Sequence, residues 1–204
     1  MKYFVTGIGT GVGKTIASAI ITEALKADYW KPVQAGDLDF SDTKTVKNLI
    51  SNKESVFHAE AFKLKNAISP HAAAALEGIE IIPDKIPMPE TENNLVIEGA
   101  GGIMAPLNNR QTMLDLMVLL NAEIVLVSSN YLGSINHTLL SWQMLKTTDL
   151  SIKGIIFNGE ENPESEKFIL QYTGLPLLLR INQENDITKN RIVHYAEQIK
   201  NNLK

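Results

Sequence analysis

Residues 6–15 read TGIGTGVGKT, directly behind the apolar run KYFVT. Gly7, Gly9, Gly11 and Gly13 crowd one turn and end in Lys14-Thr15. So many glycines give up backbone entropy, which marks a place where the chain must pass close to a ligand. A strand before and the helical pattern IASAIITEALK after make this the setting of a phosphate-binding loop. Backbone N–H groups from Gly9 to Thr15, including those of Gly11, Val12 and Gly13, can converge on phosphate oxygens at the positive end of the helix that opens at Ile16. Lys14 then reaches the β- and γ-phosphates of a nucleotide, and the Thr15 hydroxyl ligates Mg²⁺. The common spacing leaves four residues between the outer glycines. Here five, Ile8 to Val12, lie between Gly7 and Gly13, which points to a sub-branch of such proteins.

Three further groups offer chemistry at strand ends. Lys31-Pro32-Val33-Gln34-Ala35-Gly36 follows the second apolar run, and Lys31 there faces the same crevice as the glycine loop. Glu98-Gly99-Ala100-Gly101-Gly102 follows NLVI, pairing a carboxylate with glycines that admit a ligand to the backbone, which suits a second Mg²⁺ contact. The acidic stretch DLDFSDTKT offers Asp37, Asp39 and Asp42, of which one is a candidate metal ligand. Ser134-Ile135-Asn136 opens a helical pattern, with Ser134 placed as its cap and free N–H groups available to an anion. His71 and His137 read as hydrogen-bonded structural residues, the Met113, Leu116, Met117, Leu120 stripe as core, and Trp30 and Trp142 as packing.

These groups need a frame. Apolar runs (KYFVT, YWKPV, NLVIE, EIVLVS, IKGIIFN, LPLLL) alternate with helical spacing in IASAIITEALK, KTVKNLI, MLDLMVLLN, INHTLLSWQMLK and ESEKFILQYT. That alternation predicts an α/β fold, a mostly parallel sheet with helices on both faces, of the P-loop NTPase type. At 204 residues we expect residues 1–204 to form a single domain. The segment IIPDKIPMPETENN reads as a mobile loop, and the polar tail from Asn182 as carrying one surface helix. Composition removes several functional classes. With no cysteine there are no disulfides, thiol nucleophiles or cysteine metal sites. A net charge of −4 argues against dedicated nucleic-acid binding. No run reaches the ~18 apolar residues of a membrane span, and YFV is too short for a signal-peptide core, so a cytoplasmic protein is expected.

Taken in order, these residues resemble the dethiobiotin synthetase family, ATP-dependent ring-closing enzymes of biotin synthesis. The resemblance rests on FVTG and GKT across the five-residue spacer, KPVQ, Ser41-Asp42, Ser69-Pro70-His71, EGAGG, Pro106-Leu107 and LGSINHTLL, from the start to about residue 140, with Asn158 beyond. It implies 7,8-diaminononanoate, CO₂ and MgATP as substrates, and a carbamate whose oxygen attacks the γ-phosphate before the second amine closes a cyclic urea. By resemblance Lys14 and Lys31 are catalytic, with Lys31 on the carbamate and the transferring phosphoryl group. Thr15, Asp42 and Glu98 hold Mg²⁺, and Gly11 to Ile16, Asp42, Glu98 to Gly101 and Asn158 bind ATP, Asn158 at the adenine. Ala35 and the Ser134-Ile135-Asn136 turn meet the substrate, the turn serving a neighbouring subunit, so a homodimer with composite sites is implied. The chain departs from the family pattern where Gly9 replaces an aspartate, Ala35 a hydroxyl residue, and Asn182 a proline, and residues 78–94 are shortened. Cobyrinate-type amide synthetases share the loop and EGAGG, but commonly use a glutaminase cysteine that is missing here. Partition-type ATPase switches carry an extra lysine early in the loop, and GTPases an NKxD run; neither occurs in this chain.

Overall fold

The computed structural model describes residues 1–203. Seven strands form one sheet: β1 (Lys2–Gly7), β2 (Asp28–Trp30), β4 (Phe57–His58), β6 (Leu95–Gly102), β7 (Glu123–Ser129), β8 (Ile152–Gly159) and β9 (Leu177–Asn182). Their order is β4-β2-β6-β1-β7-β8-β9, and every pair is parallel. A second sheet of two strands joins β3 (Val33–Ala35) to β5 (Phe62–Leu64).

The period-2 pleat divides the apolar runs between two cores. Tyr3, Val5, Tyr29, Val96, Val125, Val127 and Ile156 face one side, where α1 (Lys14–Leu25), α2 (Asp42–Leu49) and α7 (Lys189–Ile199) pack. Phe4, Trp30, Ile97, Ile124, Leu126, Ile155 and Phe157 face the other, under α3 (Pro70–Leu76), α4 (Met113–Leu120), α5 (Ser134–Leu145) and α6 (Pro163–Thr173). Burial on both faces is why these strands read as continuous apolar runs, and the fold class agrees with the sequence. The Met113, Leu116, Met117, Leu120 stripe is buried, as are Trp30 and Trp142. Among the described residues, no helix is long and apolar enough to cross a membrane.

Four local expectations change. YWKPV is not one strand: β2 ends at Trp30, Pro32 has no N–H to continue the ladder, and its carbonyl accepts from Phe62 N–H (3.0 Å) as the chain enters the second sheet. The tail helix α7 is more than a surface element, because Ile192, Tyr195, Ala196 and Ile199 are buried in the α1 core. The proline-rich segment carries anchors: Ile81 and Ile86 are buried, and the Thr91 hydroxyl donates to Asp28 Oδ2 at 2.7 Å. Helix α5 is capped by Gly133 in the left-handed region (φ 101°), not by Ser134, which is the first helical residue and buried.

Candidate nucleotide and ligation site

β1 lies between β6 and β7, which the chain reaches only after the glycine loop has led into α1 on one face of the sheet. The carboxyl ends of β1, β2 and β6 therefore border one crevice, the usual place for a ligand in an open parallel sheet. It forms a cleft of about 740 Å³ whose lining includes Thr10, Gly13, Lys14, Lys31, Asp42 and Glu98.

The loop owes its shape to its glycines. Gly11 (φ 75°) and Gly13 (φ 97°) adopt backbone angles that favour glycine, and a Cβ on Gly13 would collide with the Asn158 side chain. That side chain comes from the end of β8, and its Nδ2 donates to Val12 O at 3.1 Å. Asn158 is thus fastened to the glycine loop across the sheet, although 146 residues separate it from Val12. Ile16, in the first turn of α1, also lines the cleft, with Gly11, Ala100 and Gly101.

Four charged or hydroxylic side chains meet at the floor. The Thr15 hydroxyl lies 2.7 Å from Asp42 Oδ1 and 2.9 Å from Glu98 Oε1. A hydroxyl has one proton, so it can donate to only one of these carboxylates at a time. Lys31 Nζ sits 2.7 Å from Asp42 Oδ2 and 3.1 Å from Glu98 Oε1, and donates to Gly99 O at 3.0 Å. Lys14 Nζ donates to Gly9 O at 2.8 Å. Asp39 is exposed and takes no part, so of the acidic stretch it is Asp42 that reaches the floor.

Burial works against the charged form of Lys31, but the charges of Glu98 and Asp42 and its hydrogen bonds outweigh that and hold its pKa above the ordinary lysine value. Lys14 moves the other way, to about 8: burial and repulsion from Lys31 exceed the pull of Glu98 and Asp42. For Asp42, burial is overcome by Lys31, Thr15 and Lys14, so its pKa falls below the usual carboxylate value. Lys31, Asp42 and Glu98 thus pair their charges with one another, whereas the Lys14 ammonium is held by the Gly9 carbonyl.

Three oxygens from Thr15, Asp42 and Glu98, two of them anionic around a single hydroxyl, form a hard donor set that suits Mg²⁺. Among the described residues no cluster of three or more His, Cys, Asp or Glu could hold a metal ion. Nucleotide phosphates would have to complete the shell of such an ion, as Mg²⁺ commonly requires.

Ala35 lines the cleft, half-buried. Ser134, Ile135 and Asn136 do not: they border a separate cavity of about 890 Å³ with Asn130, Glu161 and Phe168. His71 and His137 lie outside the cleft lining, His137 Nδ1 pairing with the Tyr131 hydroxyl at 2.8 Å. Two further residues hold the floor in place. Gln34, buried, accepts from the Asp42 N–H (3.1 Å) and donates to Gly36 O (3.0 Å), which fixes the start of α2. Tyr29, fully buried, donates its hydroxyl to Glu98 Oε2 at 2.9 Å. Gln34 belongs to the KPVQ motif, whereas Tyr29 carries no sequence signal beyond an apolar strand position.

A parallel sheet with a glycine loop, lysine and threonine at its switch point defines a P-loop ATPase fold. Solved structures with this architecture include the septum site-determining protein MinD of Pyrococcus horikoshii complexed with Mg-ADP (TM-score 0.59, 12% identity, 98% of this chain and 96% of that one). A ParA family ATPase of Chlorobium tepidum is also similar (TM-score 0.52, 14% identity, 99% and 96%). A family model described as an AAA domain matches residues 1–191. Sequence relatives narrow the class. ATP-dependent dethiobiotin synthetase BioD of Cytophaga hutchinsonii is 51% identical over 202 residues, 98% of each chain. Proteins of that name from Christiangramia forsetii (50%; 99% and 97% covered) and Chlamydia pneumoniae (40%; 98% and 89%) are similar along their length. The chain belongs to the ATP-dependent dethiobiotin synthetase family.

Proposed function

We propose that this enzyme closes 7,8-diaminononanoate into the cyclic urea dethiobiotin, with CO₂ and ATP as co-substrates and ADP and phosphate as products. The observation that carries this reading is the cluster at the end of a phosphate loop, in which buried Lys31 pairs with Asp42 and Glu98, the Thr15 hydroxyl bridges the same two carboxylates, and a second buried lysine, Lys14, is held on the Gly9 carbonyl. One amine of the substrate takes up CO₂ as a carbamate, whose oxygen attacks the γ-phosphorus with release of ADP. The second amine then attacks the carbonyl carbon of the carbamic–phosphoric anhydride, forming the second C–N bond and expelling phosphate. A carbamate meeting a triphosphate brings like charges together, so the protein's task is placement and neutralisation.

In this reading Lys14 holds the β- and γ-phosphates and Lys31 neutralises the carbamate and the transferring phosphoryl group. Residues 11–16 and 98–101 cradle the phosphates, and Asn158, fixed to Val12, contacts adenine. Thr15, Asp42 and Glu98 would hold Mg²⁺, which when bound neutralises phosphate charge. Ala35, which lines the cleft together with Lys31, meets the substrate in this reading. The Ser134-Ile135-Asn136 turn borders another cavity, so its part in substrate binding calls for a second subunit. We therefore favour a homodimer in which that helix end receives the carboxylate tail of a substrate bound to the partner. We read the whole chain as one ligase domain acting in the cytoplasm, where ATP is available. Incubation with diaminononanoate, bicarbonate and MgATP tests the function: the cyclic urea should appear by mass and depend on all three. ATP hydrolysis without that product would refute it.

A further inference from the structure

The two oxygens of Glu98 have different company. Oε1 faces the cleft, 2.9 Å from the Thr15 hydroxyl and 3.1 Å from Lys31 Nζ. Oε2 is turned into the protein and accepts from Tyr29 at 2.9 Å. Tyr29 sits in the middle of β2, paired in parallel register with Val96 of β6, two residues before Glu98. Its ring is wholly buried and packs at 44° to Phe57, with centroids 5.8 Å apart. The phenol therefore reaches the carboxylate from behind, along the sheet and away from any ligand.

Rotation about the last bond of a glutamate is soft, with broad preferences. A carboxylate gripped only at Oε1 can turn its plane, or exchange its oxygens, whenever the partners at the cleft change. In the proposed reaction those partners change, because Lys31 turns to the carbamate and phosphoryl oxygens and the Thr15 hydroxyl to the metal ion. A rigid donor on Oε2 removes that freedom. A water in the same place would not, because the ring of Tyr29 is fixed by its strand and by Phe57.

We propose that Tyr29 is a positioning residue of the ligation site, which holds Glu98 with Oε1 presented to Thr15 and Lys31, at the edge where a divalent cation would be held. The inference rests on the reading of Glu98 as a metal contact. Support residues of this kind commonly alter metal affinity by about 10–100-fold when removed.

The test is a titration of Mn²⁺, in the presence of ADP, followed by electron paramagnetic resonance, so that no turnover is needed. Tyr29→Phe keeps the ring and deletes the donor. Its Mn²⁺ affinity should fall about tenfold or more, with a matching rise in the Mg²⁺ needed for half-maximal turnover and a recovery of kcat at saturating Mg²⁺. A residue that only packs would lower the melting temperature and leave Mn²⁺ affinity unchanged, and that result overturns the proposal. Glu98→Gln separates the two layers. If it binds Mn²⁺ like the wild type, the metal reading of Glu98 falls and the proposal with it. If it binds weakly while Tyr29→Phe binds normally, Tyr29 alone is misassigned. Should Tyr29→Phe fail to fold, Tyr29→Phe/Glu98→Gln removes the unpaired buried charge. Affinity equal to that of Glu98→Gln supports an action through Glu98, and a further loss refutes it.

Discussion

Replacing Lys31 by methionine removes an ammonium and keeps most of the side-chain volume. The ammonium lies 2.7 Å from Asp42 Oδ2 and 3.1 Å from Glu98 Oε1, with only 3% of the residue exposed. At an effective dielectric of about 20, each such contact is a gross attraction of roughly 5–6 kcal/mol, much of it offset by desolvation. Without Lys31, two carboxylates share one threonine hydroxyl and lose their nearest counter-charge, so some loss of stability is expected. The larger effect should be on rate. In the proposed reaction Lys31 is the charged donor to the carbamate and the γ-phosphate, and removal of one such donor costs about 3–4 kcal/mol of barrier, or 10²–10³-fold in kcat. The KM for ATP should change much less, because Lys14 and the loop backbone remain. The assay is phosphate release with all three substrates, run well below the melting temperature established by circular dichroism. Turnover within a few-fold of wild type in a folded Lys31→Met enzyme would refute the role given to Lys31.

Lys14→Ala should lower kcat/KM for ATP about a hundredfold or more, since the loop loses its only side-chain charge toward the phosphates; near-normal nucleotide kinetics would remove it from the site. Asp28 concerns stability. Burial opposes its charge, but hydrogen bonds from Thr91, the Val56 N–H and Asn93 prevail and depress its pKa. A folded pKa below the unfolded one means stability that is present above the unfolded value of about 3.9 and lost as pH falls through the folded value. Asp28→Asn should therefore cost about 1–3 kcal/mol at pH 7 and progressively less below about pH 4, as thermal melts at both pH values would show. Mixing a Lys14→Ala enzyme with one disrupted at Ser134–Asn136 should restore up to about a quarter of wild-type activity, because half the random dimers carry one intact site of two. No recovery, with subunit exchange demonstrated, would rule out a composite site.

Much of this site is legible in the sequence because each part lies at the end of a long apolar run. Once KYFVT, NLVI and IKGIIF are read as parallel strands, Thr15, Glu98 and Asn158 must emerge on one side of the sheet. Lys31 follows the same logic even though YWKPV is longer than the strand it contains, since β2 ends at Trp30 and Pro32 breaks the ladder. The elements without a sequence signal are short or face inward. Phe57–His58 is a two-residue strand with no period to read, and α3 is an alanine run without an apolar stripe. Tyr29 looks like any aromatic in a buried strand. Its hydroxyl gains meaning only from the β2–β6 pairing that sets it behind Glu98, and pairing between strands separated by more than sixty residues is not written locally. Residue types alone leave Asp37, Asp39 and Asp42 open and the resemblance selects Asp42; the structure supplies the physical reason, since Ser41 caps α2 and Gln34 accepts from the Asp42 N–H.

If the site phosphorylates a carbamate, as proposed, the fate of the CO₂ oxygens must show it. The enzyme would be given freshly dissolved C¹⁸O₂, diaminononanoate and MgATP for a single brief turnover, and both products analysed by mass. If the carbamate oxygen attacks the γ-phosphorus and leaves with it at ring closure, one ¹⁸O should appear in phosphate and one in the urea carbonyl, in equal amounts. Cyclic urea formed with unlabelled phosphate would rule out a phosphorylated carbamate.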